Sequence, residues 1–153
     1  MATPEERIAE LGLTLPQVAA PVASYVPAVR SGSHVYVSGQ LPFVEGALPA
    51  TGKVGADVTP EAAKELAALC ALNAIAAVRA EVGDLANVVR VVKVGGFVAS
   101  APDFTGHPGV INGASDLLAA VFGDAGVHAR AAVGVAALPL DSPVEVDMIV
   151  EVV

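Results

Sequence analysis

The residues best suited to chemistry in this 153-residue chain lie near its C-terminal end. Arg130 is followed at alternate positions by the small residues Ala132 and Gly134, and Glu145 and Asp147 alternate in the next apolar run. A guanidinium is a planar fork that binds a carboxylate or phosphate through two parallel hydrogen bonds. A carboxylate can accept a proton or hold a water molecule. These residues favour either a site for a small anionic ligand or a structural ion pair between subunits.

Both runs alternate with the period of a β-strand, and we expect both charged sets on a sheet face that helices leave open. The strand predicted over residues 129–137 places Arg130 on that face with the small residues Ala132, Gly134 and Ala136. A simple hairpin to the strand over residues 144–152 would pair Glu145 with Ala136. The two charges would then lie about 15–20 Å apart along one sheet. A shared site therefore needs a neighbouring subunit or a bulge.

The remaining elements are predicted from capping residues and hydrophobic periodicity. Helices are predicted over 3–11, 59–82 and 108–122, and further strands over 25–30, 34–40 and 88–98. Residues 41–58 are rich in proline and glycine, so we expect a loop with at most one short edge strand. The order β-β-(β)-α-β-α-β-β predicts an α+β two-layer sandwich, a mixed sheet with two main helices on one face.

The composition is that of one ordered domain, which we expect to span residues 1–153, with 1–20 as an N-terminal helix and proline-rich lead-in. The chain is 54% hydrophobic and 16% charged, with a mean hydropathy of +0.65, which excludes intrinsic disorder. So much apolar surface on a short chain favours a subunit interface over a monomer with a polar surface.

Charge and segment patterns limit the expected partners and location. Eight basic against sixteen acidic residues give a net charge of −8, and a nucleic-acid backbone would be repelled on average. We therefore expect no nucleic-acid partner. Charged residues and prolines interrupt the apolar stretches, and no basic segment leads into an apolar one at the start. We expect no membrane association and a cytoplasmic location.

Three histidines, His34, His107 and His128, are scattered along the chain. They show neither the HExxH pattern nor another spacing typical of metal ligands, so we expect no metal site. His128 stands two residues before Arg130 and can line the same face of that strand.

Other polar or unusual residues are predicted to be structural. Cys70, the only cysteine, lies in an alanine-rich helical stretch and is expected to be a small core residue rather than a reactive thiol. Asn73 of the same stretch is expected to be a buried hydrogen-bonding residue. Gly95-Gly96 inside a strand indicates a bulge or close packing. Ser38-Gly39 lacks the GxSxG pattern of serine hydrolases.

Several stretches taken in order resemble the Rid family, the reactive intermediate deaminases also called YjgF or endoribonuclease L-PSP proteins. The similarity covers essentially the whole chain after the first twenty residues. Asn73 and Asn112 also stand where the family tends to have asparagine. The stretches are 24–29 (SYVPAV), 35–40 (VYVSGQ), 129–133 (ARAAV), 138–139 (LP) and 144–147 (VEVD).

The resemblance implies a chorismate-mutase-like fold, assembled as a homotrimer with ligand clefts between subunits. It implies hydrolysis of 2-imino or 2-enamino acids to 2-oxo acids and ammonia, without a cofactor. Arg130 stands at the position of the arginine that binds the substrate carboxylate, and Glu145 at that of the glutamate that positions or activates water. The substrate-binding positions implied by the family are Tyr25, Ser38, Gly39, Phe104, Asn112 and Ala132.

The chain departs from the family pattern in two places. Many members have cysteine where this chain has Ala132, so activity here requires that this position act without a thiol. The segment from Phe104 to Asn112 is longer than in the best-studied members, which bears on the mouth of the cleft and on the substrate range.

Two alternatives to the deaminase remain open. A non-catalytic module could bind small carboxylates such as 2-oxo acids with the same arginine. A ribonuclease, as the older family name suggests, is disfavoured by the net charge of −8 and by the lack of a His/Lys catalytic pair.

Overall fold

The computed structural model describes all 153 residues, which form three α-helices and one five-stranded sheet. The α+β two-layer sandwich predicted from the sequence is confirmed. Short 3₁₀ turns connect several of the elements. The helices are α1 (Pro4–Glu10), α2 (Pro60–Val82) and α3 (His107–Phe122), and the strands are β1 (Ala28–Ser31), β2 (His34–Gln40), β3 (Val88–Ala99), β4 (Ala129–Val135) and β5 (Val144–Val152).

The helix ends follow the capping residues that predicted them. Thr59 accepts a hydrogen bond from the backbone N–H of Ala62 at 3.1 Å, and Gly83 ends α2. Thr3 and Glu6 form a reciprocal capping box at the start of α1. Such caps occupy backbone N–H groups that the first turn of a helix leaves without partners.

The sheet has the strand order β1-β2-β5-β3-β4, in which only β3 and β4 are parallel. The hairpin predicted between β4 and β5 is therefore wrong, because β3 lies between them. A parallel neighbour needs a long crossover connection, and α3 provides it between β3 and β4. The optional edge strand within residues 41–58 is reduced to isolated bridges, such as Val54 with Ser100.

Helices α2 and α3 cover one face of the sheet, and two close approaches seat α3. A side chain at Gly96 of β3 would collide with Ile111, and one at Gly113 of α3 would collide with the Lys64 carbonyl of α2. The Gly95-Gly96 pair thus marks close packing, one of the two predicted roles. This seating matters for function because α3 carries most of the groups around Arg130.

The predicted face is correct for Glu145 and wrong for Arg130. Arg130 lies opposite Val94, which lies opposite Met148, and both of these side chains are buried beneath the helices. Laterally paired residues point to the same face, so Arg130 lies on the helix side. Its predicted companions Ala132 and Gly134 also lie on that side, where Ala132 packs against the core and Gly134 faces His107 of α3. Ala136 lies beyond the end of β4.

The face that the helices leave uncovered is largely apolar. Val29, Tyr36 and Val133 are 51%, 47% and 44% exposed, and Ile149 lies opposite Tyr36. Glu145, Asp147 and Glu151 are half-buried carboxylates of this face. Exposed apolar side chains on a sheet face are typical of an interaction site. No helix combines the length and the apolar character needed to cross a bilayer.

Two of the residues predicted to be structural lie in the core of α2. Cys70 is fully buried, and burial, with a smaller contribution from Glu145, raises the pKa of its thiol, so the residue is not a nucleophile here. Asn73 is 2% exposed, and its side-chain amide donates hydrogen bonds to the carbonyls of Leu41 (3.0 Å) and Phe43 (3.1 Å). The Asn73 amide thereby ties the chain just after β2 to α2.

Replacing Asn73 with leucine is expected to lower the free energy of unfolding by about 2–3 kcal/mol, because one buried and one partly buried carbonyl lose their donor. Asn87→Leu is the matched control, since the Asn87 amide makes a single bond to the Val82 carbonyl at 3.1 Å and should cost about 1 kcal/mol. Urea unfolding of both variants measures the difference, and equal losses would contradict the structural role given to Asn73.

Candidate functional site

The guanidinium of Arg130 is held by three acceptors of α3. Its Nη1 donates to Asn112 Oδ1 at 2.8 Å and to Ser115 Oγ at 3.2 Å, and its Nη2 donates to the Pro108 carbonyl at 3.3 Å. Residues spaced by three or four positions lie on one side of a helix, so α3 presents all three acceptors to β4 together. We call this group, Arg130 with Pro108, Asn112 and Ser115, the arginine edge.

The arginine edge leaves the cation charged and partly free. All three acceptors are neutral, and the two ion pairs of the protein, Lys53–Asp141 and Lys64–Asp116, do not involve Arg130. Of the five N–H groups of a guanidinium, Nη1 uses two and Nη2 one, which leaves Nε–H and one N–H of Nη2. Nε and Nη2 form one edge of the planar group, and such an edge binds a carboxylate through two bonds.

His128 extends this network behind Ser115. Its Nδ1 lies 2.6 Å from the Gly126 carbonyl oxygen, and its Nε2 lies 2.9 Å from Ser115 Oγ. His128 therefore does line the same side of the chain as Arg130, as the spacing of two residues predicts, and it contacts the serine that contacts the arginine.

Glu145 belongs to a separate cleft of about 420 Å³ beside β2. Ser38 donates through Oγ to the Val26 carbonyl at 2.6 Å, and the Tyr25 hydroxyl accepts from the backbone N–H of Val22 at 3.0 Å. These bonds fold the segment before β1 over the cleft. We call it the glutamate cleft, and its lining residues are Val22, Ala23, Tyr25, Ser38, Gly39, Leu41, Pro139 and Glu145.

Glu145 and Asp147 each lie over a glycine of a neighbouring strand. The Glu145 carboxylate occupies the space that a side chain at Gly39 would fill, and Asp147 does the same at Gly95. Burial, and secondarily the charge of Asp147, raises the pKa of Glu145. Burial also raises the pKa of Asp147, against the opposing effects of the Gly95 backbone and Lys93. A carboxylate with a raised pKa is a better proton acceptor than an ordinary glutamate.

Phe104 lies in a third cleft, of about 710 Å³, formed beside the N-terminal turn of α3. Its ring meets the His107 ring edge-on, with centroids 5.3 Å apart, and His107 Nε2 lies 3.1 Å from Ser100 Oγ. Pro108 follows His107 directly and accepts from Arg130, so this cleft adjoins the arginine edge. The Phe104–Asn112 segment thus supplies two of the acceptors of Arg130 and lines the cleft beside it.

Within the chain the arginine edge and the glutamate cleft do not meet. Glu145 lies opposite Phe97 and therefore level with Val133, three residues along β4 from Arg130. Two strand spacings separate the two residues laterally by about 10 Å, and their side chains leave opposite faces of the sheet. The structure thus divides the predicted site residues into two groups: Tyr25, Ser38 and Gly39 with Glu145, and Asn112 with Arg130, near Phe104 and Ala132.

Ser115 and the Pro108 carbonyl are the contacts of Arg130 that sequence reasoning missed. Ser115 is one of several small residues in α3, so its type alone carries no signal. The available signal was its position three residues after Asn112, which puts both on one side of α3.

Comparisons with known proteins agree on one family. Residues 5–152 match the family described as "YjgF/chorismate_mutase-like, putative endoribonuclease". Protein TCP17 of Trypanosoma cruzi is 48% identical over 142 residues, which cover 92% of this chain and 89% of that protein.

Solved structures show the same fold. A protein of unknown function from Agrobacterium tumefaciens is 52% identical with a TM-score of 0.92, over 98% of this chain and 92% of that one. A "putative endoribonuclease" from Shewanella oneidensis is 36% identical with a TM-score of 0.96, over 99% and 100%. RidA from an Antarctic Psychrobacter is 29% identical with a TM-score of 0.59, over 89% and 94%.

Proposed function

The chain belongs to the YjgF/chorismate-mutase-like family, and from this premise we propose that it hydrolyses reactive 2-imino and 2-enamino acids to 2-oxo acids and ammonia. The catalytic site forms in clefts between the subunits of a homotrimer. Arg130 binds the substrate carboxylate, and Glu145 of the adjoining subunit holds the attacking water.

The free edge of the Arg130 guanidinium is the observation that supports this proposal most. Its remaining N–H groups, one on Nε and one on Nη2, are available to a carboxylate, and no acidic side chain neutralises the cation. Had an aspartate or glutamate been paired with Arg130, the group would serve the fold and a ligand would have to displace that partner. Neutral acceptors instead orient the cation and preserve its attraction for an anion.

The separation of the arginine edge from the glutamate cleft supports a site between subunits. Arg130 lies on the edge strand β4 and points to the helix side, whereas Glu145 points to the open face. A second copy packed on the exposed apolar face could bring its β4 edge to the glutamate cleft. The same packing would bury Val29, Tyr36 and Val133, which a monomer leaves in water.

The proposed reaction asks little of the protein because an imine carbon is already electrophilic. Water held by Glu145 adds to C2 of the imino acid, and the carboxylate accepts the proton that the water gives up. The electron pair of the C=N bond moves to nitrogen, which takes that proton from Glu145 to give a 2-amino-2-hydroxy acid. The hydroxyl then gives its proton, through Glu145, to the amino nitrogen, and ammonia leaves as the C–N bond breaks and the C=O bond forms. Orientation by Arg130 places C2 beside the water.

The test is a coupled assay in which an amino-acid oxidase or dehydratase generates the imine, and release of 2-oxo acid is followed with and without the protein. Faster release supports the deaminase. Calorimetry with 2-oxobutanoate alongside it identifies the second candidate, a carboxylate-binding module, which the free arginine edge favours as much as it favours catalysis. Binding with no acceleration of imine hydrolysis would leave only that second function.

Asp147→Asn is expected to move the acidic limb of the kcat/KM profile to lower pH. Glu145 must be ionised to accept a proton, so activity falls as the pH drops through its pKa, which lies above the ordinary range. Removing the negative charge of Asp147 takes away one cause of that rise and lowers the pKa of Glu145.

Asp141→Asn is the control for this shift, because Asp141 is exposed and paired with Lys53 at 3.1 Å. Its profile should match that of the unmodified protein. An acidic limb that stays in place in Asp147→Asn would argue that Glu145 is not the group whose ionisation the rate follows.

A further inference from the structure

We propose that His128 is a positioning residue that acts through Ser115 to hold the Arg130 guanidinium with its Nε–Nη2 edge free. The proposal rests on the proposed function, because it concerns how the same arginine meets a carboxylate. None of the motifs of the sequence assigns a role to Ser115 or His128.

The hydrogen bonds around His128 determine which of its nitrogens carries the proton. A carbonyl oxygen can only accept, so Nδ1 donates to Gly126 across 2.6 Å. In the neutral ring, Nε2 is then an acceptor, and its partner at 2.9 Å is Ser115 Oγ. The hydroxyl of Ser115 therefore donates its single proton to His128.

The orientation of the Ser115 O–H bond determines whether Oγ can accept a hydrogen bond from Arg130. With the proton on the side of His128, a lone pair of Oγ faces Nη1 of Arg130 and accepts its hydrogen bond at 3.2 Å. Without an acceptor at Nε2, the hydroxyl of a helical serine turns to the carbonyl one turn earlier in its own helix. Ser115 would then lose its alignment with the guanidinium.

Ser115 completes a three-point support for Arg130. Asn112 and Ser115 together occupy both N–H groups of Nη1, and Pro108 occupies one of Nη2. Because both N–H groups of Nη1 are bonded, the guanidinium plane cannot rotate freely. Its Nε–Nη2 edge therefore faces one direction. With Ser115 out of position, the guanidinium can turn about its bond to Asn112, and a carboxylate must reorder it on binding.

Four variants test the proposal: Ser115→Ala, His128→Leu, their double variant, and His128→Gln, whose Oε1 can accept from Ser115 in place of Nε2. The dissociation constant of 2-oxobutanoate and the KM for the imino acid are measured for each. Ser115→Ala and His128→Leu should each raise both constants about tenfold with little change in kcat. The double variant should equal Ser115→Ala, and His128→Gln should restore binding. Glu81→Gln, at an exposed side chain in the last turn of α2, is the control and should change nothing.

The double variant separates a positioning role from a merely structural one. If His128→Leu weakens binding as much in the Ser115→Ala protein as in the unmodified one, or if His128→Gln fails to restore binding, His128 does not act through Ser115 and the proposal is overturned. A protein that binds 2-oxobutanoate without hydrolysing imines defeats the deaminase alone, since the dissociation constants still decide the role of His128. Absence of binding in the unmodified protein would overturn both.

Discussion

Arg130→Ala is expected to lower kcat/KM for 2-imino acid hydrolysis by at least about a hundredfold, because the carboxylate loses two charge-assisted hydrogen bonds at once. Neither bond has a substitute, since no lysine or second arginine lies in the network around Arg130. The assembly should persist, because the acceptors that Arg130 leaves behind lie at a half-exposed edge where water replaces it. Release of 2-oxo acid from an enzymatically generated imine measures the loss, and size-exclusion chromatography checks the assembly.

Two further variants test whether the loss of activity in Arg130→Ala comes from the planar guanidinium at this position. Arg130→Lys should recover little activity, because an ammonium lacks the planar fork and cannot bond Asn112 and a carboxylate in one fixed geometry. Arg30→Ala is the matched control: Arg30 also bonds only neutral acceptors, the carbonyls of Gly32 and Val153, but it lies on β1 at the opposite edge of the sheet. Undiminished turnover in Arg130→Ala would reject the anchoring role.

Mixed assemblies of Arg130→Ala and Glu145→Gln subunits are expected to recover activity that neither variant has alone. Glu145→Gln should lose about a hundredfold or more, because an amide cannot accept the proton of the attacking water. If each site takes Arg130 from one subunit and Glu145 from the next, random mixing in equal amounts rebuilds both residues in about a quarter of the sites. Coexpression of the two variants followed by the imine assay measures the recovery.

The matched control for complementation pairs Arg130→Ala with a subunit that carries both substitutions. That mixture contains no intact Arg130 and should stay as inactive as its parents. A mixture of the two single variants that also stays inactive, although size-exclusion chromatography shows assembled protein, would place both residues in a site formed by one subunit. Because Arg130 and Glu145 lie on opposite faces of the sheet in one chain, that outcome would contradict the proposed site between subunits.

The elements were predictable where local chemistry determines them. Helix α2 begins at Pro60 after Thr59 and ends at Val82 before Gly83, as its capping residues predict. Strands β2 and β5 match the predicted bounds as well. The strand predicted over 25–30 departs most, since β1 runs only from Ala28 to Ser31, and the strand predicted over 129–137 ends at Val135. Residues before Pro27 instead fold over the glutamate cleft, which is a tertiary contact that periodicity does not carry.

The candidate site was predictable as a set of residues but not as an arrangement. Arg130, Glu145, Tyr25 and Gly39 lie in or beside clefts, as expected for residues that contact a ligand. Their division into two half-sites depends on β5 inserting between β2 and β3, a pairing between segments far apart in the chain. Because β5 follows β4 in the chain, a hairpin between these two strands is expected. No residue in the turn between them indicates that β5 pairs with β2 and β3 instead.

The sequence by itself determined which residues of a strand share a face, because the period of two is local, while only the tertiary structure decided which of those faces the helices cover. In β5 the alternation of valine and methionine with glutamate and aspartate distinguishes the buried face, and Glu145 was correctly placed. In β4 both faces carry small or apolar residues, so Arg130 alone suggested a face, and it suggested the wrong one. Helix α3 presents acceptors of Pro108, Asn112 and Ser115 to the edge of the sheet at β4. Because these neutral groups accept the hydrogen bonds of the guanidinium, Arg130 can lie on the side of the sheet that the helices cover.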